Sequence, residues 1–428
     1  MKIKDTVSYI KEGKLDYVLA EKLGIFKDNL ENEKARILSA VDSFASLYGS
    51  EREISVFSVG GRSEISGNHT DHNAGRVIAA SINLSVIAIA SARDDGIIRI
   101  KSEGFEEDVV SPEDALSPNE AKRYKSSAII AGIENAFIKN SLKVGGFDAF
   151  TVSNVLKGSG LSSSAAFEVT VAKILSSLYN DDKVPEIELA KMSQYAENVF
   201  FGKPCGLMDQ AACAVGGLIA VDFEDISAPV VEKLDFDLTK AGYSLCITDT
   251  GANHADLNED YASVPAEMKK VASLVSCPVL RRTTKEKILE NAEYIRKEAG
   301  DRALLRALHF FDENERVSSQ VRAAKTGDIE AFLSDVAASG NSSYKYLQNV
   351  YSARNVTEQS VSLALYLSES FLGKRGAVRV HGGGFAGTVQ AYVPSDMTCR
   401  FKEYMESFFG EGSCLVLSVR KSGAEKIL

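Results

Sequence analysis

One stretch constrains this chain more than any other: Gly158-Ser159-Gly160-Leu161-Ser162-Ser163-Ser164-Ala165-Ala166. Before it, Phe147 to Leu156 reads as a strand; after it, Ala165, Val169, Ala172, Leu175 and Leu178 line one face of a helix. A Gly/Ser loop that opens a helix lets the backbone approach a ligand closely and presents unpaired N–H groups at a positive dipole end. Serine hydroxyls add donors and can ligate Mg2+. The chemistry indicated is anion binding, with phosphate the natural anion. A plain helix cap would need one serine, not three. Other loops of this kind are excluded: Gly202-Lys203 is followed by Pro204, a dinucleotide fingerprint would need glycine where Ser163 stands, and nucleophile-elbow spacing is missing.

The rest of the chain sets the frame. Its 428 residues suggest two or three domains or two large lobes, with a core too large to need disulfide or metal staples. The net charge of −10 argues against a general nucleic-acid partner, since a phosphate backbone needs a basic surface. Six scattered cysteines without a C-x-x-C pair read as free thiols of a reducing compartment. The opening Met-Lys-Ile-Lys-Asp leads into charged residues, not an apolar signal segment. The most apolar run, Val77 to Ala92, is too short and too polar to span a bilayer. A soluble, cytoplasmic protein without a membrane partner is expected. The Asp94-Asp95-Gly96 step after that run predicts a hairpin to Ile97–Ile100. Lys122 to Lys139 and Ile187 to Phe201 read as helices, and Met268 to Gln348 as mostly helical. Two α+β lobes sharing one cleft follow, with a boundary near residue 235.

Three further polar motifs carry chemistry. Gly60-Gly61-Arg62 through His69-Thr70-Asp71-His72-Asn73-Ala74-Gly75 packs a cation, imidazoles, a carboxylate and amides into a turn-rich stretch suited to a polyhydroxylated ligand. A metal site of His69, Asp71 and His72 is the rival reading. Asp209, in Gly206-Leu207-Met208-Asp209-Gln210, sits at the start of a small-residue helix, where a carboxylate is favoured. The run Gly382-Gly383-Gly384 before a strand indicates close backbone approach.

Together and in this order, the four motifs resemble the galactokinase family of the GHMP kinase superfamily, over about residues 54 to 393. The resemblance implies an α+β fold of two lobes: an N-terminal α/β lobe over 51–235 and a ferredoxin-like C-terminal lobe over 236–428, the active site between them. Residues 1–50 are then an N-terminal extension packed on the kinase core. It implies ATP-dependent phosphorylation of a sugar, most naturally galactose to galactose 1-phosphate, with ATP and Mg2+ required. By the same resemblance, Gly158, Ser159, Gly160, Leu161, Ser162, Ser163, Ser164 and Ala165 bind ATP, and Ser163 and Glu197 hold Mg2+. Asp209 is the catalytic aspartate and Arg62 the arginine beside it. Asn68, His69, Asp71, Gly206 and Tyr261 contact the sugar, and Gly382, Gly383 and Gly384 close the site.

Some positions depart from the family pattern. Gly-Glu-His-Thr-Asp-Tyr is here Gly67-Asn68-His69-Thr70-Asp71-His72, Asn-Leu-Ile is Glu64-Ile65-Ser66, and Gly-Gly-Cys is Ala386-Gly387-Thr388. Phosphoryl transfer is untouched by these changes, whereas the choice of sugar is not, so an N-acetylated or acidic galactose derivative is an alternative substrate. A non-catalytic sugar and nucleotide sensor predicts loss of the Ser-Ser-Ala element or of the aspartate, and both are intact. The oligomeric state is left open, a monomer being compatible.

Overall fold

In the computed structural model, residues 1–156, 160–203, 205–251, 257–385 and 387–428 are described. Two sheets organise them. The first contains β1 (Ser55–Ser66), β2 (Arg76–Arg93), β3 (Ile98–Ser102), β4 (Glu107–Val110), β5 (Gly146–Ser153), β6 (Leu218–Asp222), β7 (Val230–Leu234) and, from the chain's end, β12 (Ala424–Lys426). The order is β12-β1-β2-β5-β3-β4, with β6 and then β7 joined to the first part of β2. The second sheet is antiparallel, ordered β11-β8-β10-β9 from β8 (Tyr243–Asp249), β9 (Ala377–Val380), β10 (Thr388–Pro394) and β11 (Cys414–Leu417).

The apolar run at Val77 is explained by β2. Its first residues pair with β6 and its last with β5, while β1 runs along the opposite edge. Both of its faces are covered, so its sequence is nearly continuously apolar. Ile87 and Ile89 point to one layer, made by α1 (Ile3–Lys11) and α2 (Leu30–Tyr48), where Ile37, Val41 and Phe44 meet them. Ala88 and Ala90 alternate to the other face, beneath α3 (Ser126–Lys139), α4 (Ser163–Tyr179) and α5 (Glu186–Tyr195). Next to these, α6 (Met208–Val215) packs through Ala211 and Ala212. Residues 1–50 thus form a helical layer on the sheet.

Helices dominate the second lobe: α7 (Asn258–Leu274), α8 (Lys285–Glu290), α9 (Ala292–Ala299), α10 (Asp301–Thr326), α11 (Ile329–Ser342), α12 (Ser360–Leu372) and α13 (Thr398–Phe409). One cluster joins the lobes, with Ile65, Ile78 and Ile82 against Leu245, Ile247, Phe332 and Tyr392. All six cysteines are free thiols. Among the described residues no helix is long and apolar enough to cross a membrane.

The structure departs from sequence expectation at three places. The Asp94-Asp95-Gly96 step makes no hairpin. Instead, β5 lies between β2 and β3, which pairs with β5 in parallel (Ile98↔Phe147). The turn therefore steps over a strand, tied by Arg93 to Asp95 and to Asp148 of β5 (2.9 Å). The expected helix over Ile187–Phe201 is α5 followed by a π-helical turn, Ala196–Phe201. Such a wider turn changes the direction of the side chains it carries, and it carries Glu197. Finally, β7 ends at Leu234 and β8 starts at Tyr243, yet β12 returns to the first sheet (Phe57↔Lys426), so 236–428 does not stay within one lobe. That return covers the edge that β1 would otherwise expose.

Candidate active site

A cavity of about 220 Å³ lies where β1, the loop after it, the start of α6 and the Gly382–Gly384 loop converge. Its lining includes the predicted Arg62, Asn68, His69, Asp71, Gly206, Asp209, Gly382 and Gly383, together with Glu64, His72 and Cys205. Its size is below the ~300–1,000 Å³ of pockets for drug-sized ligands and suits a monosaccharide.

The anion loop is fastened to β1 by Arg62. A Cβ on Gly61 would sit 2.7 Å from Leu161 O, so only glycine allows the strand this close. Arg62 N donates to Leu161 O (3.0 Å) and Arg62 Nη1 to Gly160 O. The rest of the guanidinium grips Asp209 in a fork, Nε to Oδ1 at 2.7 Å and Nη2 to Oδ2 at 2.8 Å. Burial opposes the charge on Arg62, but Asp209 more than offsets it and holds the pKa above the usual arginine value. Asp209 lies in the first turn of α6, and its side chain is 32% exposed. Ser162, in a left-handed conformation (φ 57°) at the start of α4, donates its hydroxyl to Asp209 Oδ2. Leu161 is buried, while Ser163, Ser164 and Ala165 form the first turn of α4, whose N–H groups have no helical acceptor. Gly158 and Ser159 lie outside the described residues.

The opposite wall is the turn after β1, braced by the second lobe. Thr70 Oγ1 donates to Gly67 O (2.9 Å) and Arg76 O (2.6 Å), closing the turn onto β2. Gly67 N donates to Glu313 Oε1 (3.1 Å) on α10. Burial would raise the Glu313 pKa, but neighbouring His309, Arg316 and Arg379 bring it down to about 2. His309 is buried and its pKa lowered by that burial; its Nε2 donates to Asn68 O (3.0 Å) and its Nδ1 meets the Ser342 hydroxyl (2.8 Å). His69 is itself left-handed (φ 60°), and its Nε2 reaches Gly383 O at 3.0 Å. Burial, with the nearby His72, lowers its pKa to about 4. The ring is therefore neutral at pH 7, and Nε2 carries the proton donated to Gly383.

Two predicted sugar contacts stand differently from expectation. The amide of Asn68 is fully engaged inside the protein: Nδ2 donates to Glu64 Oε1 (3.0 Å) and Gly382 O (2.7 Å), and Oδ1 accepts from Asn349 Nδ2 (2.8 Å) and Ser343 (3.3 Å). An amide has two donors and two acceptor lone pairs, so none is left for a ligand. Tyr261 sits behind the glycine loop: its hydroxyl donates to Gly384 O (2.8 Å), its ring meets Phe385 edge-on at 5.4 Å, and a Cβ on Gly383 would lie 2.6 Å from it. It props the loop and is not among the residues that line the cavity.

Beside Asp209, Gln210 Nε2 bridges two buried carboxylates, Glu168 Oε2 (3.0 Å) and Glu197 Oε2 (2.9 Å). Burial and the charge of Glu197 push Glu168 up to about 8. Glu168 Oε1 and Gln210 Oε1 are buried without a partner. An oxygen-rich, under-satisfied cluster of this kind fits a hard divalent cation such as Mg2+. Among the described residues no three His, Cys, Asp or Glu side chains are arranged to hold a metal by themselves. The His69, Asp71 and His72 metal reading therefore falls; His69 Nε2 is turned to Gly383. Sequence reasoning noted Glu64 only as a departure from the family pattern and passed over Glu168, His309, Glu313 and Arg379. The available signal was charge in apolar surroundings, above all a lone Glu168 within the apolar face pattern of α4.

A helix N-terminus bonded to an Arg–Asp pair beside a small cavity, with an α/β lobe joined to an antiparallel one, is the arrangement expected of a small-molecule kinase of the GHMP class. The model of the GHMP kinases N terminal domain matches residues 128–217, and the galactokinase galactose-binding signature matches residues 42–92. Galactokinase of Streptomyces coelicolor is 32% identical over 356 residues, 82% of this chain and 87% of the relative. That of Lactobacillus helveticus is 30% identical over 359 residues, 82% and 89%. Lactococcus lactis galactokinase complexed with galactose superposes with a TM-score of 0.75 at 24% identity, covering 91% of this chain and all of that one. L. major mevalonate kinase gives 0.58 at 15% identity, covering 85% and 95%. The chain belongs to the galactokinase family.

Proposed function

We propose that this protein phosphorylates galactose at its anomeric hydroxyl with the γ-phosphoryl group of MgATP. The observation that carries the reading is Asp209, gripped by Arg62 and open to a monosaccharide-sized polar cavity beside a helix N-terminus. Arg62 fixes the Asp209 carboxylate through both of its oxygens. The carboxylate accepts the proton of the sugar hydroxyl as that oxygen bonds to the γ-phosphorus and the bridging P–O bond to ADP breaks, a role worth roughly 10²–10⁴-fold. To reach the carboxylate, the hydroxyl takes the place that Ser162 holds on Oδ2, which frees Ser162 to join Ser163, Ser164 and the α4 N–H groups around the phosphates. Gly160, Leu161 and Ala165 complete that cradle. Ser163 and Glu197 would hold Mg2+, with Glu168 behind, and the ion would neutralise phosphate charge. His69, Asp71 and Gly206 face the sugar.

An acidic sugar fits poorly. Glu64, Asp71 and Asp209 line the cavity, and its one arginine is already bonded to Asp209. ADP release against a panel of free sugars tests the proposal. Galactose should turn over at least ~100-fold faster than glucose, since polar pockets reject misplaced hydroxyls strongly. Equal turnover of the two would contradict the substrate assignment, and no ADP with any sugar would contradict kinase activity.

A further inference from the structure

The family pattern and this chain differ at two positions four residues apart, and the two differences are reciprocal. Where the pattern has Asn and then Glu, this chain has Glu64 and then Asn68. The structure shows what the exchange does. Asn68 has become a strut, each of its four hydrogen-bonding positions taken by Glu64, Gly382, Asn349 and Ser343. Glu64 lines the cavity with its side chain more than nine-tenths buried. Its Oε1 accepts from Arg379 (2.7 Å) and Asn68 (3.0 Å), whereas among the described residues no side chain or backbone group donates to Oε2. An enclosed carboxylate oxygen without a donor is a strong acceptor that needs a partner.

We infer that Glu64, not Asn68, is the specificity-determining carboxylate of the sugar site, its Oε2 accepting a hydroxyl of the sugar other than the one that reacts. The inference rests on the sugar-kinase reading above. Arg379 and Asn68 fix the carboxylate from behind, so the free oxygen meets the ligand without rearrangement. The site therefore selects an uncharged sugar with a hydroxyl donor at that point, and an anionic group there would meet a second anion.

The test compares wild type, Glu64→Gln and Asn68→Ala with galactose and its 2-, 3-, 4- and 6-deoxy derivatives. A hydrogen bond to a charged group predicts that Glu64→Gln raises the galactose KM about 10- to 100-fold, more than it lowers kcat, while the ATP KM moves less than about twofold. One deoxy sugar, penalised in wild type, should lose its penalty in Glu64→Gln. Each penalty is a ratio within one preparation, so a smaller folded fraction cancels. If Glu64→Gln keeps every penalty, or Asn68→Ala is the variant that removes one, the inference is overturned. Should the variants not fold, wild-type crystals with galactose decide: a sugar hydroxyl within about 3 Å of Glu64 Oε2 is expected, and one on the Asn68 amide would contradict it. Wild type that turns over no sugar would overturn the parent reading instead.

Discussion

Two arginine–carboxylate pairs hold the carboxylates Glu64 and Asp209 at the cavity, and they are built for different ends. Arg379–Glu64 is sealed: the arginine side chain is 0% exposed and the carboxylate 8%. Arg62–Asp209 is open on one side, at 10% and 32%. In the sealed pair a single oxygen is used and the Arg379 Nε has no partner, so the arginine serves chiefly to fix a carboxylate between lobes. In the open pair both oxygens are gripped, and a hydroxyl, that of Ser162, already sits where a substrate hydroxyl would go. The same two chemical groups brace the two lobes in the sealed pair and, under the proposed function, present a proton acceptor in the open one.

Breaking the sealed pair should have the larger effect on folding. Arg379→Met leaves Glu64 buried without its cation, which predicts a loss of about 3–5 kcal/mol in denaturant unfolding. A change below about 1 kcal/mol would mean that the brace is not structural. Breaking the open pair should instead move the rate. Arg62→Lys keeps the charge but loses the fork, predicting kcat lower by roughly 10²-fold with stability changed by less than about 1 kcal/mol. A stability loss without a rate loss would reverse the contrast.

Acid should act on the wall that the sealed pair braces. His69 is held at about 4 against an ordinary value of 6.5, so the folded state binds fewer protons than the unfolded chain between these values. Its contribution is full above pH 6.5 and lost as pH falls towards 4. His69→Gln should therefore flatten part of the fall in melting temperature between pH 6.5 and 4.5. Glu168 works in the opposite direction. Held at about 8 against 4.5 by burial and Glu197, it disfavours folding as pH rises through that interval. Added Mg2+ should for that reason raise the melting temperature more at pH 8.5 than at pH 6. An equal shift at both values would count against a cation at Glu168 and Glu197.

Much of the site was legible because its residues come in short runs whose chemistry is local. Ser162 and the glycine loops announce themselves by composition and spacing, Arg62 and Asp209 through the family resemblance of their motifs, and the structure brings Arg62, Asp209, His69, Asp71 and Gly383 to one cavity. What was not legible depends on contacts distant in sequence. That Asn68 has no free hydrogen bond is decided by Ser343 and Asn349, some 275 and 281 residues away. Tyr261 is placed by the distant glycine loop, its ring against Gly383 and its hydroxyl on Gly384 O. The hairpin expected at Gly96 failed for a similar reason: a turn dipeptide specifies a reversal, but β5, arriving from residue 146 onward, takes the place beside β2.

The account stands most directly on Asp209. Single-turnover phosphorylation by Asp209→Asn, combined with calorimetric titration of galactose, separates chemistry from binding. The account predicts a rate at least about 10²-fold below wild type with galactose affinity within about threefold. A near-normal rate, or affinity lost in step with rate, would contradict it.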